Sequence, residues 1–149
     1  MDDRVRAATR REANFNWVEA RSQCSPEKVF AQLKLSIAED ARIRTEALLA
    51  ERAGYGIDIA SQGNTFIAFV SYGMSGNPVN QLRSVSFTLT FDRIVVKDQN
   101  DEAICDDARL TIDDEGECVF KIANRELDPW QFRKRTLERL LFESPWGRK

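Results

Sequence analysis

SVSFTLTF, residues 84–91, alternates hydroxyl and apolar side chains at every step. A strand sends successive side chains to opposite faces. The stretch therefore reads as a β-strand with Val85, Phe87, Leu89 and Phe91 on a dry face and Ser84, Ser86, Thr88 and Thr90 on a wet one. One dry and one wet face is the pattern of an antiparallel sheet covered on a single side. The rest of the chain has to supply neighbouring strands and an amphipathic element to cover the dry face.

Upstream, YGIDIAS (55–61) and TFIAFVSY (65–72) flank Gln62-Gly63-Asn64 and read as a hairpin, its second strand apolar enough for the middle of a sheet. Downstream, Asp92-Arg93 marks a turn or bulge before IVVK (94–97), and the acidic turn DQNDE (98–102) leads to further strands at about 103–112. Asp113-Asp114-Glu115-Gly116, with its glycine, turns the chain into a last strand from Glu117 to Ala123. The run FNWVEAR (15–21), with Phe15 and Trp17 on one side, is read as a first strand. Residues 1–12 lack an apolar period and are expected to be a mobile tail, leaving one domain over 13–149.

Two helices supply the cover. Ser25-Pro26-Glu27 opens the first: the serine hydroxyl can accept from an orphan backbone N–H, proline is preset for the first helical position, and Glu27 suits the positive dipole end. The helix is expected to reach about Arg52, with Gly54 as a left-handed stop. At 100° per residue Val29, Phe30, Leu33, Ile37, Ala41, Ala47 and Leu48 share a face. Asp40, Arg44 and Glu51 intrude on that stripe, so the segment is read as one helix or as two with a break between Ala38 and Asp40. Asp128-Pro129 starts a final helix to about Phe142, ended by Ser144-Pro145. Its docking face is assigned to Trp130, Leu137, Leu140 and Leu141. The expected fold is α+β: an antiparallel sheet, open or strongly curved, of about six or seven strands, in the order strand, one or two helices, about six strands, amphipathic C-terminal helix.

Composition narrows the function. At 149 residues with 42% apolar and 31% charged side chains, the chain fits a single globular domain that needs no staples. Cys24, Cys105 and Cys118 give neither an even set nor a metal-ligand spacing, so reduced thiols and a cytoplasmic location are expected. The chain has no histidine, which excludes His-dependent triads, Cys-His dyads and histidine metal sites. A formal net charge of −2 removes the basic field of a general nucleic-acid binder, and no membrane span is expected because no apolar run approaches the needed length. Residues 92–117 hold ten acids against Arg93, Lys97 and Arg109, locally −7.

Four places are candidates for binding. Asp40 and Arg44 stand four apart in the acid-before-base order and are expected to pair on one helix face, either as a solvated pair or as the lining of a ligand site. In the final helix Phe132, Arg135, Arg139 and Phe142 form a stripe opposite the docking face. Aromatics interleaved with arginine suit a protein interface, unless the phenylalanines are simply core. The loop GMSGNPVNQL (73–82) joins two good strands and places Met74 as a ligand-contacting residue of a lid, or is an ordinary connection. The acidic turns suit a hard cation in charge alone: Asp98-x-Asn100-x-Glu102 is followed by Ala103 where a calcium loop needs glycine, so solvated turns and no metal are expected. Cys24 before a helix start has no base to activate it, and no carboxylate spacing singles out a catalytic pair.

The element order is similar to the helix-grip arrangement of START-like proteins, in which a curved sheet folds round a long C-terminal helix and encloses an apolar cavity. That resemblance covers order alone and implies a carrier of an apolar small ligand. The residues themselves point first to a non-catalytic binding module that meets a protein partner, or a second copy, through the C-terminal helix. No cofactor is expected.

Overall fold

The computed structural model describes residues 15–51, 54–72 and 81–143. Within them lie helices α1 (Trp17–Gln23), α2 (Pro26–Glu51) and α3 (Pro129–Phe142), and strands β1 (Tyr55–Gln62), β2 (Thr65–Tyr72), β3 (Gln81–Thr90), β4 (Arg93–Asp98), β5 (Ala108–Ile112), β6 (Cys118–Ile122) and β7 (Arg125–Leu127). The strands form one antiparallel meander in the order β1 to β7, not closed into a barrel. Two N-terminal helices, a run of strands and a C-terminal helix make an α+β fold, as the alternation in β3 implied.

The expected first strand is a helix. Asn16 caps α1, its Oδ1 accepting from the Glu19 N–H at 3.0 Å. An Asx cap of this kind offers the backbone a helical start that loose alternation over seven residues cannot outweigh. Ser25 opens the second helix as expected: its Oγ accepts from the Lys28 N–H at 3.3 Å, and Pro26 begins α2. α2 then runs unbroken for 26 residues, and Gly54 at φ 94° turns the chain into β1. The tail at 1–12 and most of the loop at 73–82 lie outside the described residues.

In the sheet, β1 and β2 form the expected hairpin around Gly63, with Ile57 opposite Val70. β3 ends one residue early. Phe91 adopts φ 55° in the turn to β4 and is 93% exposed, so it leaves the dry face assigned to it. The β4–β5 and β5–β6 connections begin with the same five-residue turn. Asp98 Oδ1 accepts from the N–H groups of Asn100 and Glu102, and Asp113 Oδ1 from those of Glu115 and Glu117. The fourth residue of each, Asp101 or Gly116, takes positive φ. After the first of these turns only Ala103 bridges back to Lys97, and the strand proper waits until Ala108. The three residues of β7 were not foreseen, being too few to show a period.

Helices α2 and α3 cover the dry face. A chain of rings runs through that layer from Phe30 on α2 to Phe66 on β2 (5.1 Å), Phe87 on β3 (4.9 Å), Phe132 on α3 (6.4 Å) and Phe120 on β6 (4.2 Å). Leu33, Ile37 and Leu48 from α2 and Leu137 and Leu140 from α3 complete it. The free edge of β1 is met by α2: Thr45 Oγ1 accepts from the Ile57 N–H at 3.0 Å and donates to the Ile57 carbonyl at 3.3 Å. One hydroxyl thus stands in for a neighbouring strand at the middle of the edge.

Candidate functional site

Every functional residue expected on the C-terminal helix can now be placed. Asp128 precedes α3, its N–H donating to Gln131 Oε1 at 2.8 Å, and Pro129 takes the first helical position. The buried row is Phe132, Thr136 and Leu140, flanked by Leu137 and Leu141. Phe132 is therefore core, not part of an outward stripe. The threonine hid this row from a reading of polarity: its hydroxyl donates to the Phe132 carbonyl at 2.9 Å, so Thr136 is buried with its hydrogen bond made inside the helix. Trp130, expected to dock, is instead 56% exposed, and Phe142 is 62% exposed. The two outward aromatics thus stand at opposite ends of α3.

Asp40 and Arg44 do not pair with each other. Asp40 Oδ2 accepts from Arg133 Nε on α3 at 2.8 Å, with the two side chains 26% and 25% exposed. Arg44 Nε donates to the Leu141 carbonyl at 2.8 Å, its guanidinium lies 4.5 Å from the centre of the Phe142 ring, and it meets Glu51 at 3.4 Å. Both charges therefore cross from α2 to α3 and fasten the seam between the helices. A guanidinium can hold a carbonyl at the helix C-terminus, where the dipole favours positive charge, and stack on an aromatic at once. Above the seam runs a groove of about 330 Å³, floored by Leu137 and Leu141, edged by Asp40 and Arg133, with Trp130 at one end and Phe142 at the other.

Arg135 and Arg139 face a second cleft, of about 500 Å³, between α3, the start of β3 and the β4–β5 connection. Arg83 joins them there, donating to the carbonyls of Arg139 (3.0 Å) and Glu143 (3.2 Å). Burial first, and the Arg139 charge second, pull the Arg83 pKa below the ordinary guanidinium value, while Glu143 opposes them. Asp98 and Glu102 line the same cleft, so its charge is mixed. Arg83 had no signal in the sequence, since its partners are main-chain carbonyls more than fifty residues away.

Met74 lies outside the described residues. Among those described, no group of three or more Cys, Asp or Glu side chains is arranged to hold a metal ion, and the lead aspartate of each acidic turn is committed to backbone N–H groups. Cys24 and Cys118 form a disulfide with Cα atoms 5.5 Å apart, which overturns the expectation of three reduced thiols. An odd count hid one bond and one spare thiol. Such a bond persists in an oxidising compartment, so the ground for a cytoplasmic location is removed. Cys105 remains free and buried, and burial pushes its thiol pKa up. No helix among the described residues is long and apolar enough to cross a membrane. No protein-family model, curated protein or solved structure matches this chain.

Proposed function

We propose that the chain is a non-catalytic binding module that meets a protein partner through the outward side of α3. One observation carries the proposal: Trp130 and Phe142, both more than half exposed, frame a groove with an apolar floor and a fastened ion pair at its edge. Large aromatics at the rim of a pre-formed groove are what an interface uses for its anchors, since they bury much area with little side-chain entropy lost. The Arg44 contact to Phe142 and the Asp40–Arg133 pair hold this surface in shape before a partner arrives, which lowers the cost of binding. The test is a photo-crosslinking side chain placed at 130 or at 142, with the protein expressed in its own host. A crosslinked protein adduct at these positions, and none from an exposed control position such as Glu126 on β7, is expected. Equal labelling from all three positions sinks the proposal.

A carrier of an apolar ligand is the second reading, favoured by a separate groove of about 320 Å³ whose walls include Val29, Leu33, Phe120 and Pro129, with Lys28 and Arg133 at its margin. It sits at the surface between α2 and the start of α3. The layer between helices and sheet, where a helix-grip cavity would be, is occupied by phenylalanine rings. A fatty acid that raises the melting temperature of wild type but not of Val29→Lys, at a half-buried position of the same groove, would favour this reading.

A further inference from the structure

The exposed ridge of α3 has an order that singles out one partner. Trp130, Lys134, Glu138 and Phe142 follow one another at four-residue steps, so they form one ridge about 18 Å long that winds about 120° round the helix from end to end. Read in the opposite direction the row is aromatic, acid, base, aromatic. Turned end for end against itself it therefore sets Trp130 against Phe142, Lys134 against Glu138, Glu138 against Lys134 and Phe142 against Trp130. We propose that the partner is a second copy of this chain, docked by a two-fold axis level with Thr136 so that the two α3 ridges pack antiparallel. This rests on the reading of α3 as an interaction surface and names its occupant.

A closed two-fold contact requires a self-complementary patch, and few helix rows meet that condition. The alternatives within the row fail on charge. Parallel pairing brings Lys134 onto its own copy and Glu138 onto its own copy. Antiparallel pairing displaced by one turn puts Lys134 on Lys134 in one direction and Glu138 on Glu138 in the other. Only the register centred at Thr136 matches all four positions. Within one chain Lys134 and Glu138 already meet at 3.1 Å and are 61% and 56% exposed, so the paired ridges would hold a ring of four alternating charges between two aromatic contacts. Beside the ridge lies the groove floored by Leu137 and Leu141, an apolar surface flanking the contact between the two ridges. α3 carries Arg133, Lys134, Arg135 and Arg139 against Glu138, and the repulsion this brings to the contact is reduced by Asp40 on Arg133 and Glu143 on Arg139. A contact carried by one 14-residue helix is small, so the dimer is a weak, concentration-dependent one.

The test is sedimentation of the full chain from roughly 1 µM to roughly 1 mM, a range that spans weak association, with charge variants as probes. Wild type should pass from monomer to dimer. Lys134→Glu gives a ridge with two acids and Glu138→Lys one with two bases, so each alone should lose self-association at least tenfold. Mixed in equal amounts they should form a heterodimer, and the double swap Lys134→Glu/Glu138→Lys should dimerise like wild type. Both sites are exposed, and unchanged melting temperatures establish that the variants fold. A wild type that stays monomeric throughout overturns the proposal, as does a dimer indifferent to both single substitutions. If the chain is monomeric yet the crosslinker at 130 or 142 captures a different protein, self-pairing fails while the reading of α3 as an interaction surface stands. If neither is seen, both fall.

Discussion

The Cys24–Cys118 bond joins the residue that caps the end of α1, two before α2, to the first residue of β6, 94 positions along the chain. Removing it by the pair Cys24→Ser/Cys118→Ser, or by a dithiol that reduces it to two thiols, releases a loop that encloses α2 and the first five strands. In the chain-entropy account a loop of this length restricts the unfolded state by about 4.7 kcal/mol at 25 °C. Native strain subtracts from that, and measured losses for native bonds run roughly 2 to 5 kcal/mol. For a chain of this size the upper figure corresponds to a fall of roughly 10 to 20 °C in melting temperature. The effect should act mainly through the unfolded ensemble, because a cross-linked denatured chain is more compact. Urea unfolding should therefore show a lower midpoint together with a steeper m-value in the reduced protein. Locally, α1 should loosen first. It has no buried side chain of its own, and the buried sulfur of Cys24 is its tether to the sheet.

Thiol counting supplies the control. The folded protein should react slowly with an alkylating reagent, because its one free thiol, on Cys105, is buried and its pKa raised. Unfolded without reductant it should show one thiol, and with reductant three. Three thiols titrating in the unreduced, unfolded protein would refute the bond itself. One thiol, with the same urea midpoint before and after reduction, would refute the entropic reasoning while leaving the bond in place.

The remaining expectations separate core, edge and turn. Phe132→Ala should cost about 3 to 5 kcal/mol, as a buried ring stacked 4.2 Å from Phe120, whereas Phe142→Ala should cost no more than about 1 kcal/mol, the worth of an exposed cation–π contact; chemical denaturation measures both. Thr45→Val removes the hydroxyl that serves both main-chain groups of Ile57, so it should cost about 1 to 3 kcal/mol and raise aggregation through the opened β1 edge, with Thr45→Ser close to wild type by melting and light scattering. Phe91→Gly should stabilise by about 1 to 2 kcal/mol, since Phe91 gives up almost no burial and its left-handed backbone is costly for a side chain; an unchanged or lower melting temperature contradicts this.

The sheet was legible where a local rule and the tertiary layout agree. In β3 the alternation is set by which face is dry, and in the β1–β2 hairpin the turn glycine and the flanking apolar runs point the same way. Phe91 broke the rule because the chain needed a turn there, and nothing in an alternating run marks where it stops. Residues 15–21 failed for the opposite reason. α1 buries no side chain, so it has no apolar period to read, and the informative residue was Asn16 as a cap. On α3 the docking face expected at Trp130, Leu137, Leu140 and Leu141 leaves out Phe132 and Thr136, although a hydroxyl bonded to its own helix is available to the core.

Asp40, Arg44 and Glu51 stand on the apolar stripe of α2 for a reason that lies outside that helix. Charges on an otherwise apolar helical stripe suggest either a broken helix or a solvated gap, and both explanations keep the reasoning inside one element. The structure keeps α2 whole and brings a second helix to Asp40 and Arg44, while Glu51 meets Arg44. A stripe that faces a sheet along part of its length and another helix along the rest need not be uniform. Where the neighbour is a sheet face it must be apolar, and where the neighbour is the exposed seam of a helix it can hold charges that bond to that helix's side chains and last carbonyls. On that view the intruding charges mark where α3 crosses α2. The position of the crossing, with Arg44 against Phe142 and Asp40 on Arg133, is what leaves Trp130, Lys134, Glu138 and Phe142 exposed along the groove beside the seam among the described residues.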